Sequence, residues 1–159
     1  MIPEDVHIQT SHTEKVFVRV LSQSPQTDGK YYNSPEFIQS FSDALTQSML
    51  TSKLYEVGDS IETSDLILEV TILRGDVNTV GAGAFGGGAG TTAQLINKWC
   101  LKNRATGAIV CERDITTANS NQAFIIGGMA TSGRSSSEAA AAANIKEGIE
   151  WLARKTKAD

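Results

Sequence analysis

The stretch Trp99-Cys100-Leu101-Lys102-Asn103-Arg104-Ala105-Thr106-Gly107-Ala108-Ile109-Val110-Cys111 holds both cysteines of the chain and reads as a β-hairpin. Arg104 to Gly107 suit a tight loop that ends on a left-handed glycine, which pairs Asn103 with Ala108, Leu101 with Val110 and Cys100 with Cys111. A hydrogen-bonded Asn103–Ala108 pair makes Cys100–Cys111 a non-hydrogen-bonded pair with Cα atoms about 4.5 Å apart. That separation lies inside the disulfide range of roughly 4.4–6.8 Å. The expectation is a Cys100–Cys111 disulfide and hence an oxidising compartment. The alternative for the same residues is two unpaired thiols in a strand.

At 159 residues the chain has room for one domain with a single core. The net charge is −4 and the 14 basic residues are scattered instead of forming a stripe, which argues against nucleic acid. No apolar run approaches the ~20 residues of a membrane-spanning helix. The start, Met1-Ile2-Pro3-Glu4-Asp5, lacks the basic-then-apolar pattern of a secretory signal. It suits the beginning of a mature region and does not imply a cytoplasmic protein.

Residues 1–15 are polar and unpatterned and read as a flexible N-terminal arm, with His7 and His12 solvated on it. Residues 16–155 then form a single α+β domain. Val16-Phe17-Val18-Arg19-Val20-Leu21 predicts a largely buried strand. Ser34 caps a helix with Pro35 at its first position, and Phe37, Ile38, Phe41, Leu45 and Met49 share one face. Tyr55-Glu56-Val57 suits a short strand, and the alternation of Leu66, Leu68, Val70 and Ile72 predicts a strand over 65–73 covered on one side. A Gly-rich loop follows over 75–91, with six glycines among the ten residues 81–90, too costly in entropy to order without help. Strands over 92–102 and 108–117 make the cysteine hairpin, with Trp99, Leu101 and Val110 toward the core. A second loose region covers 118–134, and Ser135-Ser136-Ser137-Glu138 is a capping box before an alanine-rich helix carrying Ala142, Ile145, Ile149 and Leu152. Two helices separated by a run of strands predict a two-layer α+β sandwich, a mainly antiparallel sheet with both helices on one face.

Catalytic and cofactor chemistry finds no support. Gly81-x-Gly83-x-x-Gly86 matches a dinucleotide fingerprint in form, but the helix that must follow it to hold a pyrophosphate is replaced by a predicted strand. The serines over 132–137 have no histidine partner, nucleophile elbow or Ser-x-x-Lys pattern. Asp59, Glu62, Asp65 and Glu69 lack metal-loop spacing and read as solvated strand ends. No catalytic residue, metal ligand or cofactor is therefore expected, and the chain is read as a non-enzyme.

The order of elements and the small motifs Ser64-Asp65-Leu66-Ile67-Leu68-Glu69-Val70, Ala105-Thr106-Gly107-Ala108-Ile109-Val110 and Ala141-Ala142-Ala143-Asn144-Ile145-Lys146 resemble a broad group of bacterial envelope lipoproteins, which includes domains of unknown function. Over residues 16–154 the pattern is distantly similar to the curli-secretion channel lipoprotein and to lipoprotein activators of penicillin-binding proteins. The resemblance implies a periplasmic domain tethered to the outer membrane through a lipidated N-terminal cysteine, which these residues lack, and a role in binding or assembly. The alternative is a subunit of an oligomeric envelope secretion or pore complex. An enzyme with an unusual motif is the third class. The expected partner is an envelope protein or a second copy of the chain. Phe85, Phe124, Ile125 and Ile126, apolar residues in the two glycine-containing regions, are the expected interface; burial of 124–126 under the sheet is the alternative.

Overall fold

The computed structural model describes residues 1–3, 6, 8, 10–23, 34–80, 88–124 and 133–156. The elements run β1 (Lys15–Ser22), α1 (Pro35–Ser52), β2 (Glu56–Val57), β3 (Leu66–Val80), β4 (Gly88–Asn103), β5 (Ile109–Phe124) and α2 (Gly133–Lys155). The strands form one sheet in the order β2-β1-β3-β4-β5. It is parallel where β1 meets β2 and β3, and antiparallel along the long β3–β4 and β4–β5 ladders. Helix α1 packs on β1 and β2, α2 packs on β3, β4 and β5, and the helices touch each other. This is the expected α+β sandwich.

Local chemistry explains the elements. Ser34 accepts a hydrogen bond from the Phe37 N–H (3.0 Å), Pro35 opens α1, and Lys53 ends it in the left-handed region at φ 59°. Phe37, Phe41, Leu45 and Met49 are buried along the helix face that their spacing defines. Leu66, Leu68, Val70 and Ile72 of β3 are buried against them, together with Trp99 and Leu101 of β4 and Ile145, Ile149 and Leu152 of α2. The turn between β4 and β5 is built as its sequence predicts. Gly107 sits at φ 73°, and the Asn103 N–H donates to the Ala108 carbonyl (2.8 Å).

Helix α2 is positioned by a buried polar group. The Asn144 Oδ1 accepts from the Trp99 Nε1–H (2.8 Å) and from Asn97 Nδ2 (3.0 Å), while its Nδ2 donates to the Ile115 carbonyl (3.1 Å) and to Thr117 Oγ1 (3.3 Å). Thr117 Oγ1 in turn donates to the Ala140 carbonyl (2.8 Å). One helical turn beyond Asn144, a Cβ on Gly148 would collide with the Trp99 indole. An amide that bonds two strands and a glycine that admits an indole therefore set how α2 lies on β4 and β5.

Three expectations are revised. β3 and β4 extend to Val80 and back to Gly88, and β5 runs on to Phe124, so residues 75–80, 88–91 and 118–124 belong to the ladders instead of loops. Once the core fixes the register, the backbone continues pairing past the last apolar alternation, with a bulge between Ile72 and Arg74. α2 already begins at Gly133, ahead of the anticipated cap at Ser135. His12 is not a solvated arm residue. Its N–H donates to the Leu54 carbonyl (2.8 Å), its ring stacks on Tyr55 with centroids 4.6 Å apart, and Nε2 lies 3.2 Å from Thr156 Oγ1. Met1, Val6 and Ile8 pack against the core as well, while His7 lies outside the described residues.

Candidate functional site

The β3, β4 and β5 strands span roughly 50 Å at about 3.3 Å per residue, and their register decides what meets at their far end. Val80 pairs with Gly90 and Gly88 pairs with Phe124. The segment 81–87, which joins β3 to β4, and the segment that leads from β5 toward α2 therefore leave the sheet at one end, from neighbouring strands. Phe85, Ile125 and Ile126 lie outside the described residues, and Phe124 is described by its backbone pairing opposite Gly88 alone. The motif Gly81-x-Gly83-x-x-Gly86 leads into strand β4, and the helix N-terminus required for a pyrophosphate is absent at that position.

The two cysteines are not bonded. Lys102 pairs with Ile109 as expected, but Leu101 pairs with Cys111 and Cys100 with Glu112, because Val110 is an extra residue at a β-bulge. A one-residue shift turns a side chain to the opposite face of the sheet. Cys111 thus lies half-buried on the helix side beside Leu101, where Val110 was expected. Val110 is exposed (52%), and Cys100 is buried on the other face. Burial first, and then the neighbouring carboxylates Glu112 and Glu69 against the opposing charge of Lys102, pushes the Cys100 thiol up. Burial and the nearby Cys100 do the same at Cys111. Neither thiol is held as a reactive thiolate.

On the face away from the helices, Glu69 bonds Arg19 Nη2 (2.5 Å) and lies 3.4 Å from Lys102 Nζ, with its carboxylate largely covered. Burial raises the Glu69 pKa, but the Arg19 hydrogen bond and the charges of Lys102 and Arg19 outweigh it and leave the carboxyl below its usual range. Glu69 is therefore a member of an ion cluster in place of the solvated strand end that its sequence suggested. Asp65 receives the Lys15 N–H (3.0 Å). Among the described residues no group of three or more His, Cys, Asp or Glu could hold a metal ion, and no helix is long and apolar enough to cross a membrane. An open hollow of about 510 Å³ lies between α1 and the start of α2, beside Ser40, Asp43, Gln47 and Glu138. Sequence reasoning passed over Asn144, although an asparagine in register with Ala141, Ile145 and Leu152 inside an alanine-rich helix signals a buried amide.

No family model matches the chain, and no curated protein matches it. The fold is shared with solved structures. Protein XCC0632 of Xanthomonas campestris, of the DUF330 family, is similar at a TM-score of 0.62 and 12% identity over 96% of this chain and 90% of that one. The hypothetical protein CT253 of Chlamydia trachomatis is similar at 0.58 and 8% identity, over 92% of this chain and 100% of the other. The PelC dodecamer of Paraburkholderia phytofirmans is similar at 0.51 and 12% identity, over 92% and 94%. At such identities the likeness is one of fold.

Proposed function

We propose that this chain is a non-catalytic binding and assembly domain of the bacterial cell envelope, periplasmic or tethered to the outer membrane, whose contact surface is the glycine-rich end of the sheet. The observation that carries this reading is the register that brings Gly88 opposite Phe124, so that both glycine-containing segments leave from one end of three long strands. Those segments contain Phe85, Ile125 and Ile126 among glycines, and apolar side chains in such regions are characteristic of contact sites. The resemblance of the sequence motifs to envelope lipoproteins supports the location. The shared fold with a protein that forms a dodecamer favours self-association and, as a second reading, a subunit of an oligomeric envelope complex.

Light scattering of the purified chain in buffer and in detergent, beside fractionation of the producing cell, tests both parts. Phe85→Ser with Ile125→Ser leaves the melting temperature within about 2 °C and weakens self-association or capture of an envelope partner. A double variant that unfolds places these side chains in the core, and one that associates undiminished removes this end of the sheet from the interface. Recovery of the chain in the cytosolic fraction defeats the envelope location.

A further inference from the structure

We propose that Cys100 and Cys111 form a redox-gated register switch, in which oxidation moves the β-bulge from Val110 to Glu112 and joins the two sulfurs on the sheet face away from the helices. In the reduced structure Lys102 pairs with Ile109, Leu101 with Cys111, Cys100 with Glu112 and Trp99 with Arg113. If Glu112 becomes the extra residue, the Lys102–Ile109 and Trp99–Arg113 pairs stay in place. Leu101 then faces Val110 and Cys100 faces Cys111. On β5 only residues 110–112 change partners, on β4 only Cys100 and Leu101, and the ladder contains one bulge before and after.

The side chains involved suit the exchange. Val110, now exposed, takes the half-buried place of Cys111 beside Leu101, a swap of one small apolar group for another. Glu112 gives up an exposed pair with Lys98 at 3.9 Å. The Asn103–Ala108 hydrogen bond sets the alternation, so the new cysteine pair is a non-hydrogen-bonded one with Cα atoms about 4.5 Å apart, within bonding range. Cys111 lies on the edge strand β5 and retains solvent exposure, so it is the first thiol that an oxidant reaches. With a small-molecule disulfide as oxidant, the Cys111 thiolate displaces one thiolate from it and forms a mixed disulfide. The Cys100 thiolate then attacks the Cys111 sulfur and displaces the second. Two protein thiols lose two protons and two electrons, and the oxidant becomes two thiols.

The switch stands independently of the binding and assembly reading. Its test is oxidation of the full chain with oxidised glutathione, followed by non-reducing peptide mapping and by amide exchange on both forms. The expected result is a reversible Cys100–Cys111 link within one chain, with exchange changes confined to residues 109–113 and their β4 partners. Val110→Lys places a charge where the oxidised register needs a buried group, while its native site is open to water. It slows closure by about tenfold or more and lets the glutathione adduct of Cys111 accumulate. Two free thiols, an adduct without closure in the unsubstituted chain, or links only between chains overturn the proposal. So does equal closure in the lysine variant. The exchange data decide independently of that variant: a linked chain in which residues 110–112 keep the reduced pattern also overturns it.

Discussion

The two faces of the sheet are made by alternate residues of the same strands and are held by different physics. Toward the helices, Leu66, Leu68, Val70 and Ile72 of β3 are closed off by α1 and α2, and the buried amide of Asn144 is bonded through both of its polar atoms. Away from the helices, Ile67, Glu69 and Thr71 of that strand are only half-buried, and among the described residues no helix covers them. Arg19, Glu69 and Lys102 draw together there. One face derives its stability from area removed from water, at about 25 cal/mol per Å², and the other from charges still in contact with solvent, where an ion pair contributes about 1 kcal/mol or less. A substitution on the helix face should therefore cost several times one on the open face.

The strongest challenge to that contrast is Trp99→Ala. It removes a fully buried indole, empties the space beside Gly148 and leaves Asn144 short of a donor, so urea unfolding should show a loss of about 3–5 kcal/mol. A loss below about 1 kcal/mol would mean that α2 does not depend on this contact. Asn144→Leu comes next. It keeps the volume but strands the Trp99 N–H and the Asn97 Nδ2 donor, and about 2 kcal/mol should be lost. A neutral result would show that an apolar side chain docks α2 equally well.

The smallest effect belongs to the open face. Glu69→Gln should cost less than about 1 kcal/mol at neutral pH. Its pH dependence sharpens the comparison, because the folded Glu69 carboxyl binds a proton more weakly than the unfolded one. The contribution is complete above the unfolded value of about 4.3 and disappears as the pH falls through the lower folded value. Stability curves of the parent and the glutamine variant should be separated at neutral pH and converge at acid pH. A gap that persists unchanged to pH values near 2 would assign the effect to packing instead of charge.

Much of this arrangement was legible in the residues. The Ser34–Pro35 cap, the helical face of Phe37, Phe41, Leu45 and Met49, the alternation of β3 and the left-handed Gly107 are all local features, decided by contacts a few residues apart. The two glycine-containing regions were also recognisable, as composition alone marks them. That the strands flanking them end side by side was not, because it depends on how far the ladders run beyond the last apolar alternation, and backbone pairing leaves no side-chain signature. The packing of the half-buried His12 on Tyr55 and Thr156 was equally hidden, since its contacts come from residues distant in the chain.

The cysteine hairpin separates the two levels most clearly. The sequence by itself determined its turn and the first two pairs, because Arg104 to Gly107 allow few backbone conformations and Asn103–Ala108 closes them. It also determined that two helices would cover one side of a sheet. Tertiary structure alone decided that Val110 would bulge, that Cys111 would turn toward the helices, and that β1 would lie parallel between β2 and β3. Local geometry allows either register at residues 110–112. The choice depends on which side chains the packed helices and the neighbouring strands accept on each face, and that free energy exists only once the layers have met.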